Sequence, residues 1–421
     1  MRSLLQVILW FLARLALKRH QPLVIAITGS VGKTSTKDAV FAVLRAEYHH
    51  RIRRTTLNLN TEIGVPLTIL GLQSSGRNPF LWTWRLFRGL RMALFDPAYP
   101  DALVLEMGVD RPGDLRYLLR LAPPRIGVVT AIGEIPVHVE YFAGPRSLAR
   151  EKARLVEALP ADGWAVLNFD DLMVLEMRER ISARVLTFGF GEGADIRATA
   201  YEVRSRMEDG REIPEGVSFK VEYQGNIVPV RLTGAFGKVS VYAALAAAGV
   251  GVALKMNLVE ISEALAQYVP PPGRMTLVPG VKETLLLDDT YNAAPQSMHE
   301  ALDTLRDLLA PRRIAVLGDM LELGKFTEAA HRIVGEQASR VAGIIVTVGV
   351  RMRFAGNEAI ARGMSEDRVR MFSTTEEAGR CVQELLEPGD LVLVKGSRAM
   401  HMEKVVEELR ADAGPSLTLQ R

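Results

Sequence analysis

The sequence predicts an α/β protein with two domains, and three observations support this fold class. Short apolar runs such as LVIAIT (23–28) and ALVLEMG (102–108) alternate with helical patterns, which is typical of a parallel sheet covered by helices on both faces. From about residue 185 to 232, apolar and polar residues alternate between glycine-containing turns, which predicts antiparallel hairpins attached to the first domain. The segment PPPGRM (270–275) predicts a linker, because adjacent prolines cannot continue a helix.

Beyond the linker the β/α alternation restarts, which predicts a second, doubly wound domain. Its four strand candidates are ETLLLDDTY, RIAVLGDM, GIIVTVG and LVLVKGS, separated by helical stretches. A length of 421 residues also exceeds that of one ordinary domain. We therefore predict an N-terminal apolar or amphipathic helix (1–22), a central domain (23–272) and a C-terminal domain (273–421).

Composition and charge narrow the class of protein. The chain is 48% hydrophobic and 24% charged, which is normal for a globular protein. A formal net charge of +3 is small for this length and gives no reason to expect a nucleic-acid partner. The single cysteine, Cys381, excludes a disulfide framework and favours a reducing compartment, so we predict a cytoplasmic protein.

The N-terminal run at residues 4–17, LLQVILWFLARLAL, is too short to cross a bilayer, which takes about 20 apolar residues. Gln6 and Arg14 also interrupt it. Three interpretations stay open: an amphipathic helix on the inner face of the membrane, a helix that packs on the domain behind it, and a secretory signal.

A second segment, RNPFLWTWRLFRGLRMALF (77–95), mixes tryptophan and phenylalanine with arginine. This mixture suits a membrane interface. The alternative is a helix that packs on its own domain with its arginines in solvent. Peripheral membrane contact through residues 1–20 and 77–95 is therefore one hypothesis for this chain.

The strongest motif is TGSVGKTST (28–36), a glycine-rich turn between a strand and a helix. Such a turn exposes backbone N–H groups, and the helix N-terminus adds a positive partial charge, so the segment predicts a phosphate cradle, or P-loop. Lys33 would reach the β- and γ-phosphates of ATP, and the Thr34 hydroxyl would bind Mg²⁺. Ile27 stands where the general pattern has glycine, so this P-loop is a shortened form. The predicted ATP-binding residues of the motif are Gly29, Ser30, Gly32, Lys33, Thr34 and Ser35.

Three further residues of the central domain are candidates. Glu106 ends a predicted parallel strand, at the edge where open α/β sheets bind ligands, and its carboxylate can hold the Mg²⁺ that Thr34 touches. His138 follows another strand end, and imidazole can bind a metal or contact phosphate. Each has an alternative structural explanation, a solvated strand end or a core histidine. Lys152 lies in a helix, where a lysine is usually solvated.

Two polar segments follow strands of the C-terminal domain. In DDTYNAAP (288–295), Asp288, Asp289 and Asn292 could contact a nucleotide across a cleft, although Asp and Asn are also ordinary turn formers. In KGSR (395–398), Lys395 and Arg398 could meet an anionic substrate or cap a helix.

Taken together, these motifs resemble the Mur ligase family over nearly the whole chain from residue 23. The blocks that carry the resemblance are ITGSVGKTSTK, NLNTEIGVPLTIL, LEMGVDRPGDL, IGEIPVHVEYF, AREKARL, GRM, DDTYNAAPQSM, VLGDMLELG (with His331 downstream) and VKGSRAMHMEKVV. DDTYNAAPQSM, GDMLELG and KGSRAM look most like the branch that adds D-alanyl-D-alanine to a UDP-N-acetylmuramoyl tripeptide. The resemblance implies a P-loop central domain with an antiparallel β insertion and a Rossmann-like C-terminal domain.

The resemblance also implies a mechanism. ATP phosphorylates the terminal carboxylate of the substrate, the incoming amine attacks the acyl phosphate, and phosphate leaves. Cations must offset the charge of two anionic reactants, and water must be excluded from the acyl phosphate. A C-terminal domain that closes over the cleft could exclude that water.

Site residues follow by matching position. The catalytic residues would be Lys33, His138 and Lys152. The first Mg²⁺ would be held by Thr34 and Glu106, the second by His138, supported by Lys152 if that lysine is carbamylated by CO₂. Nucleotide contacts from the C-terminal side would come from Arg274, Asp289 and Asn292. For the substrate we predict contacts with Asn60, Lys395, Ser397 and Arg398.

The chain departs from the family pattern at two places. Family members usually carry an N-terminal domain that holds the UDP-sugar, whereas here the P-loop strand starts at residue 23. We therefore expect the UDP part to be held in another way. The family's adenine-side stretch usually reads close to H-N-x-x-N, but this chain has Val239, Ser240 and Ala243 there. We expect base recognition to be weaker or arranged differently.

Two other functions compete with the leading prediction. One is a Mur-type ligase for another carboxylate and amine, such as a folate-polyglutamate or polymer-forming relative. The other is a nucleotide-binding scaffold without catalysis, which recruits a partner. The presence together of Lys33, Thr34, Glu106, His138 and Lys152 argues against the scaffold.

Overall fold

The computed structural model describes residues 2–48, 51–56, 59–74, 76, 78–208 and 211–411. Of the predicted segments, Met1, Arg77 and the tail 412–421 lie outside the described residues. Two sheets organise the described chain, one in each predicted domain. The domain bounds themselves stay a prediction.

The first sheet has nine strands in the order β2-β3-β1-β4-β5-β6-β7-β8-β9 among the described residues. They are β1 (Leu23–Thr28), β2 (Ile52–Arg54), β3 (Ala102–Glu106), β4 (Ile126–Val129), β5 (Trp164–Asn168), β6 (Arg184–Gly189), β7 (Ile196–Glu208), β8 (Arg211–Tyr223) and β9 (Asn226–Thr233). The associated helices are α1 (Arg2–His20), α2 (Lys33–Glu47), α3 (Gly64–Ile69), α4 (Pro79–Phe95), α5 (Asp114–Leu121), α6 (Pro145–Glu157), α7 (Leu172–Leu175), α8 (Gly237–Ala253) and α9 (Leu258–Leu265).

The antiparallel part of this sheet begins later than predicted. β6 pairs with β5 in parallel, so the expectation of antiparallel pairing from residue 185 was wrong for this strand. A short parallel contact, Phe188 with Ile196 and Gly189 with Arg197, then joins β6 to β7. Only β7, β8 and β9 pair antiparallel, and they continue the same sheet. Both β5 and β6 are largely apolar and buried, which is typical of parallel strands covered on both faces. This explains why the antiparallel pairing starts after β6.

Helices cover both faces of the first sheet. In one core, α2, α8 and α9 pack against the strands. Most residues of α8 are buried, and they are mainly alanine, valine and glycine. The other core gathers α1 and the helices that follow β2 and β3. Leu9, Leu12, Ala13, Ala16 and Leu17 of α1 are buried there, so one face of the N-terminal helix packs on the domain behind it. Among the residues that the structure describes, no helix is long and apolar enough to span a bilayer.

The second sheet has six strands in the order β10-β11-β15-β12-β13-β14 within the described chain. They are β10 (Thr276–Gly280), β11 (Thr284–Asp289), β12 (Arg313–Gly318), β13 (Ile344–Val348), β14 (Val369–Phe372) and β15 (Leu391–Lys395). The helices around them are α10 (Pro295–Asp307), α11 (Thr327–Val341), α12 (Arg353–Ala361), α13 (Thr375–Leu385) and α14 (Glu403–Leu409). All four predicted strands are present. The sequence analysis missed the edge strands β10, which pairs antiparallel with β11, and β14.

This topology brings two rows of strand ends to one cleft. The carboxyl ends of β1 and β3 lie side by side, because the two strands pair in parallel with Ile27 opposite Glu106. In the second sheet, Asp289 of β11 pairs with Lys395 of β15 in the same way. The polar groups predicted from both domains therefore lie where ligands bind open α/β sheets.

Candidate active site

A cavity of about 170 Å³ lies between the two rows of strand ends. From the central domain it is lined by the P-loop, Asn60, Glu106 and His138, and from the C-terminal domain by Arg274, Asp289, Asn292 and Lys395. Most predicted site residues thus meet in one place. Lys152, Ser397 and Arg398 do not line this cavity.

The P-loop conformation depends on its glycines. Gly29 has φ of 147°, and a Cβ there would lie 1.9 Å from Thr130 Oγ1. Gly32 adopts a left-handed conformation and precedes α2, whose first turn is not capped by any described side chain. The first N–H groups of a helix have no intrahelical partner, so the start of α2 presents donors that suit an anion. Ser30 Oγ is buried and has no hydrogen-bond partner in the described part of the chain.

Glu106 is the centre of a hydrogen-bond network beside the P-loop. Thr34 Oγ1 donates to Glu106 Oε2 over 3.0 Å, and Asn60 Nδ2 donates to Glu106 Oε1 over 3.3 Å. Lys37 Nζ lies 3.9 Å from Glu106 Oε2. A hydroxyl and a carboxylate side by side are the oxygen ligands that Mg²⁺ prefers. The described residues hold no cluster of three or more histidine, cysteine or acidic side chains that could bind a metal ion by themselves.

Two lysines contact backbone carbonyls of the P-loop, the half-buried Lys33 within the motif and the buried Lys152 behind it. Lys33 Nζ donates to the Ser30 carbonyl over 3.3 Å, and burial lowers its pKa although Glu106 opposes the shift. Lys152, on α6, is 2% exposed and donates from Nζ to the Gly29 carbonyl over 2.7 Å. Burial, and then the charge of Lys33, hold the pKa of Lys152 well below its usual range. Lys152 therefore supports the P-loop from behind.

His138 makes contacts to both domains. Its backbone is left-handed, with φ of 66°, at the start of a 3₁₀ turn (Val139–Tyr141). His138 Nδ1 lies 2.6 Å from Glu322 Oε2, and Nε2 lies 3.5 Å from Asp110 Oδ1. The His138 hydrogen bond lowers the pKa of the Glu322 carboxyl. The sequence analysis missed Glu322, although it lies in GDMLELG, because nothing in the pattern says which domain that loop meets.

In the C-terminal domain a buried ion pair joins the ends of two strands. Lys395 Nζ donates to Asp289 Oδ2 and, over 2.9 Å, to the Asn292 carbonyl. Asp289 Oδ1 also accepts from the Met275 N–H over 3.2 Å. Lys395 is 2% exposed, so this pair fixes the loop after β11 and leaves little of its charge for a ligand.

Arg274 crosses the cleft. Its Nη2 donates to Thr34 Oγ1 over 2.9 Å, and its Cζ lies 3.8 Å from the centre of the Tyr291 ring. The aromatic face holds the guanidinium in position. Arg274 therefore links the C-terminal domain directly to the P-loop.

Ser397 and Arg398, which were predicted to contact substrate, lie outside the main cavity. Ser397 Oγ is buried and accepts from the Leu321 N–H over 2.9 Å, so it ties the loop after β12 to the end of β15. Arg398 Nη1 lies 3.4 Å from Glu403 Oε1 on the surface. Their substrate roles stay predictions.

A smaller cavity of about 20 Å³ adjoins the P-loop and shares Gly32 and Glu300 with the main cavity. Its lining includes Gly32, Thr36, Asn168, Val239, Tyr242, Ala243 and Glu300. Burial raises the pKa of Glu300 to about 7, and Gln296 Nε2 donates to its Oε1 over 3.1 Å. The sequence analysis did not find Glu300, because a glutamate on a helix usually lies in solvent.

Two family models match the chain over most of its length. The model described as "Mur ligase middle domain" matches residues 88–251, and that described as "Mur ligase, glutamate ligase domain" matches residues 273–398. The UDP-N-acetylmuramoyl-tripeptide–D-alanyl-D-alanine ligase of Escherichia coli K12 is 30% identical over 392 residues, covering 92% of this chain and 76% of that protein. The chain belongs to the Mur ligase family. It is an ATP-dependent ligase that forms amide bonds.

Other relatives agree with this placement. The Bacillus subtilis 168 ligase of the same name is 29% identical over 406 residues, covering 94% of this chain and 78% of that protein. Among solved structures, MurF from Acinetobacter baumannii superposes with a TM-score of 0.78 at 27% identity, covering 96% and 80% of the two chains. MurF from Thermotoga maritima in complex with ADP gives a TM-score of 0.76 at 25% identity, covering 96% and 83%. A folylpolyglutamate synthase of Mycobacterium tuberculosis, at 17% identity and a TM-score of 0.67, shares the fold.

Proposed function

We propose that this Mur ligase joins D-alanyl-D-alanine to a UDP-N-acetylmuramoyl tripeptide, a step of peptidoglycan precursor synthesis. The relatives that bear this activity in their names support it over more than nine tenths of the chain. The observation that carries it is a P-loop whose Thr34 contacts both Glu106 of its own domain and Arg274 of the other. That arrangement would hold the triphosphate and the divalent cation where the two domains meet.

ATP and Mg²⁺ fit the groups present. The N-terminus of α2, Ser30 and Lys33 would hold the phosphates, and Thr34 with Glu106 would hold Mg²⁺. The metal would offset negative charge on the transferred phosphoryl group. Asp289 and Asn292 face the same cavity and would contact the nucleotide from the C-terminal side.

The proposed reaction has two steps. A carboxylate oxygen of the peptide attacks the γ-phosphorus of ATP, so that ADP leaves and an acyl phosphate forms. The amine of D-alanyl-D-alanine then attacks the acyl carbon, phosphate leaves, and the amine gives up a proton. Lys33 and Arg274 lower the repulsion between the anions, and closure over the cavity excludes water. Asn60 lines the same cavity and would contact the peptide substrate.

We also propose that Lys152 is carbamylated and that His138 binds a second Mg²⁺. Only a neutral amine attacks CO₂, and the lowered pKa of Lys152 favours that form. The product is an anion, which would stabilise nearby cations instead of repelling them. Glu322 lies 2.6 Å from His138 Nδ1, so Nε2 is the nitrogen that would bind the metal, with the carboxylate orienting the ring.

For location, we propose a cytoplasmic enzyme that works against the inner face of the membrane. The substrate is a soluble nucleotide-linked peptide, whereas the outer surface of α1 and α4 has the composition of an interfacial segment.

The test is phosphate release from ATP and Mg²⁺ with purified protein. Release should require both the UDP-linked tripeptide and D-alanyl-D-alanine, and mass spectrometry should detect the pentapeptide product. Lys33→Ala should lower the rate by about 10³-fold, since it removes a cation from the phosphoryl group. Lys220→Ala, at an exposed strand position, is the matched control and should be silent. Normal product formation by Lys33→Ala would refute the site assignment, and turnover with folate and glutamate instead would favour the second ligase class.

A further inference from the structure

Helices α1 and α4 pack against each other on one side of the central domain and leave their outer faces uncovered. On α1 the exposed residues follow helical spacing: Leu4, Val7 and Phe11 in the first half, then Arg14 and Lys18 in the second. The three apolar side chains are more than 60% exposed. The outer stripe of α1 is therefore apolar at one end and basic at the other.

The outer face of α4 is richer in aromatic residues. Phe80, Trp84, Phe87 and Phe95 are 85%, 59%, 68% and 75% exposed. Their spacing of three, four and eight residues places them on one face, and Arg88 and Arg91 fall on that same face. Gly89 and Ala93 point the opposite way and are buried. We call the outer faces of α1 and α4 together the two-helix face.

The charge of these helices differs from that of the rest of the chain. Over their 36 residues, α1 and α4 contain seven arginines and lysines and no aspartate or glutamate. The whole chain has a formal net charge of +3, so the remainder carries −4. The basic character of the protein is thus concentrated where its aromatic side chains are exposed.

We propose that the two-helix face binds the surface of an anionic lipid bilayer. Phenylalanine and tryptophan insert at the boundary between headgroups and acyl chains, while arginine stems lie along the apolar region and their guanidinium groups reach phosphate. The helices lie on the bilayer and do not cross it, in agreement with the absence of a spanning helix in the described chain. Isolated exposed residues elsewhere, such as Leu172 and Val350, form no comparable face.

The positive charge of the two-helix face favours an anionic bilayer over a second copy of this chain as its partner. In a symmetric dimer the same patch meets itself, so Arg88 and Arg91 would face arginines with no carboxylate on either helix. Like charges brought together in this way cost free energy. An anionic lipid surface instead attracts each basic residue by about 1 kcal/mol, or about fivefold in affinity.

The experiment is flotation of the full chain with vesicles of phosphatidylcholine alone or in an equal mixture with phosphatidylglycerol. Wild type should float with the anionic vesicles at low salt and much less with the neutral ones or at high salt. Trp84→Ser with Phe87→Ser should lower partitioning more than tenfold, and Arg88→Gln with Arg91→Gln about 25-fold, as two charges at about fivefold each imply. Leu172→Ser with Val350→Ser, equally exposed elsewhere, should float like wild type.

Two readouts keep the result independent of the ligase assignment. Circular dichroism and thermal melting check that each variant folds, and phosphate release without vesicles should be unchanged in all of them. Failure of wild type to float with anionic vesicles overturns the proposal. So does flotation that the aromatic and arginine variants leave intact, or light scattering that shows a dimer abolished by Trp84→Ser and Phe87→Ser without lipid binding.

Discussion

The two sheet edges at the cleft each bury a lysine, and these lysines differ in what compensates their charge. Lys395 is paired with the carboxylate of Asp289 and the carbonyl of Asn292. Lys152 is as deeply buried, but its one described hydrogen bond goes to the neutral carbonyl of Gly29, and its near neighbour Lys33 is another cation. A compensated ion pair holds a loop in place, whereas an amine without an ion-pair partner has its pKa lowered by burial. This difference supports the proposal that Lys152 takes part in the chemistry, whereas Lys395 holds a loop of the C-terminal domain in place.

The largest expected effect is that of replacing Lys152. Lys152→Met should lower kcat by about 10³-fold, because it removes the amine that we propose to carry the carbamate. Its free energy of unfolding should not fall, since methionine fills the same volume without a buried charge. Steady-state kinetics and urea unfolding measure both quantities. Normal kcat, or a large loss of stability, would make Lys152 a structural residue like Lys395.

Lys395→Met should show the opposite pattern. Removing the cation leaves the Asp289 carboxylate buried without its partner, which costs about 3–5 kcal/mol of unfolding free energy. Lys395→Met combined with Asp289→Asn should recover much of that stability, because no lone charge then remains. Urea unfolding of the two variants checks this. If the single and the double variant lose the same free energy of unfolding, the loss comes from packing and not from the ion pair.

The pH dependence of stability sharpens the comparison further. The pKa of Lys152 is lower in the folded protein than in the unfolded chain, so the unfolded chain binds more protons between the two values. Wild type should therefore gain stability relative to Lys152→Met as pH rises toward the ordinary lysine pKa of about 10.4. Urea unfolding in CO₂-free buffer across this range measures the difference. If wild type instead loses stability relative to Lys152→Met as pH rises, the folded protein stabilises the amine as a cation.

The smallest expected effect concerns the contact between His138 and Glu322. Both side chains are partly exposed, so solvent screens the pair, and Glu322→Gln should shift the closure of the two domains by about 0.5 kcal/mol, or about twofold. Fluorescence energy transfer between labels on the two domains measures this shift. Asp110→Asn is the matched control, because Asp110 contacts the same ring from within the central domain. Equal shifts in the two variants would show that closure depends on the His138 ring itself and not on its contact with Glu322 of the other domain.

Sequence reasoning predicted the parts of the fold that local patterns encode. The LVIAIT strand, the glycine turn and the Lys33 helix were found because apolar runs, glycines and a helix start lie next to one another in the chain. β14 was missed because four residues, VRMF, carry too little pattern, and β10 because Pro279 weakens its strand signal. The start of the antiparallel region was misplaced because β6 continues the parallel pairing for six more residues.

The site was predictable in its residues but not in its contacts. Motif and resemblance pointed to Lys33, Glu106 and Arg274, whereas the bond from Arg274 to Thr34 depends on how the two domains meet. The same holds for Glu322, whose contact with His138 crosses the cleft. Glu300 was missed because its burial depends on packing. Burial of Lys152 also depends on packing, and a helical lysine gives no sign of it in sequence.

The Thr34 hydroxyl has one oxygen for two cations. In this structure it donates to Glu106 and accepts from the guanidinium of Arg274. A magnesium ion on the second lone pair of the same oxygen would stand close to the guanidinium, so metal loading would weaken this interdomain bridge by repulsion. In the proposed reaction the arginine would then turn from the hydroxyl to a phosphate oxygen, and the nucleotide itself would take over the link between the two domains.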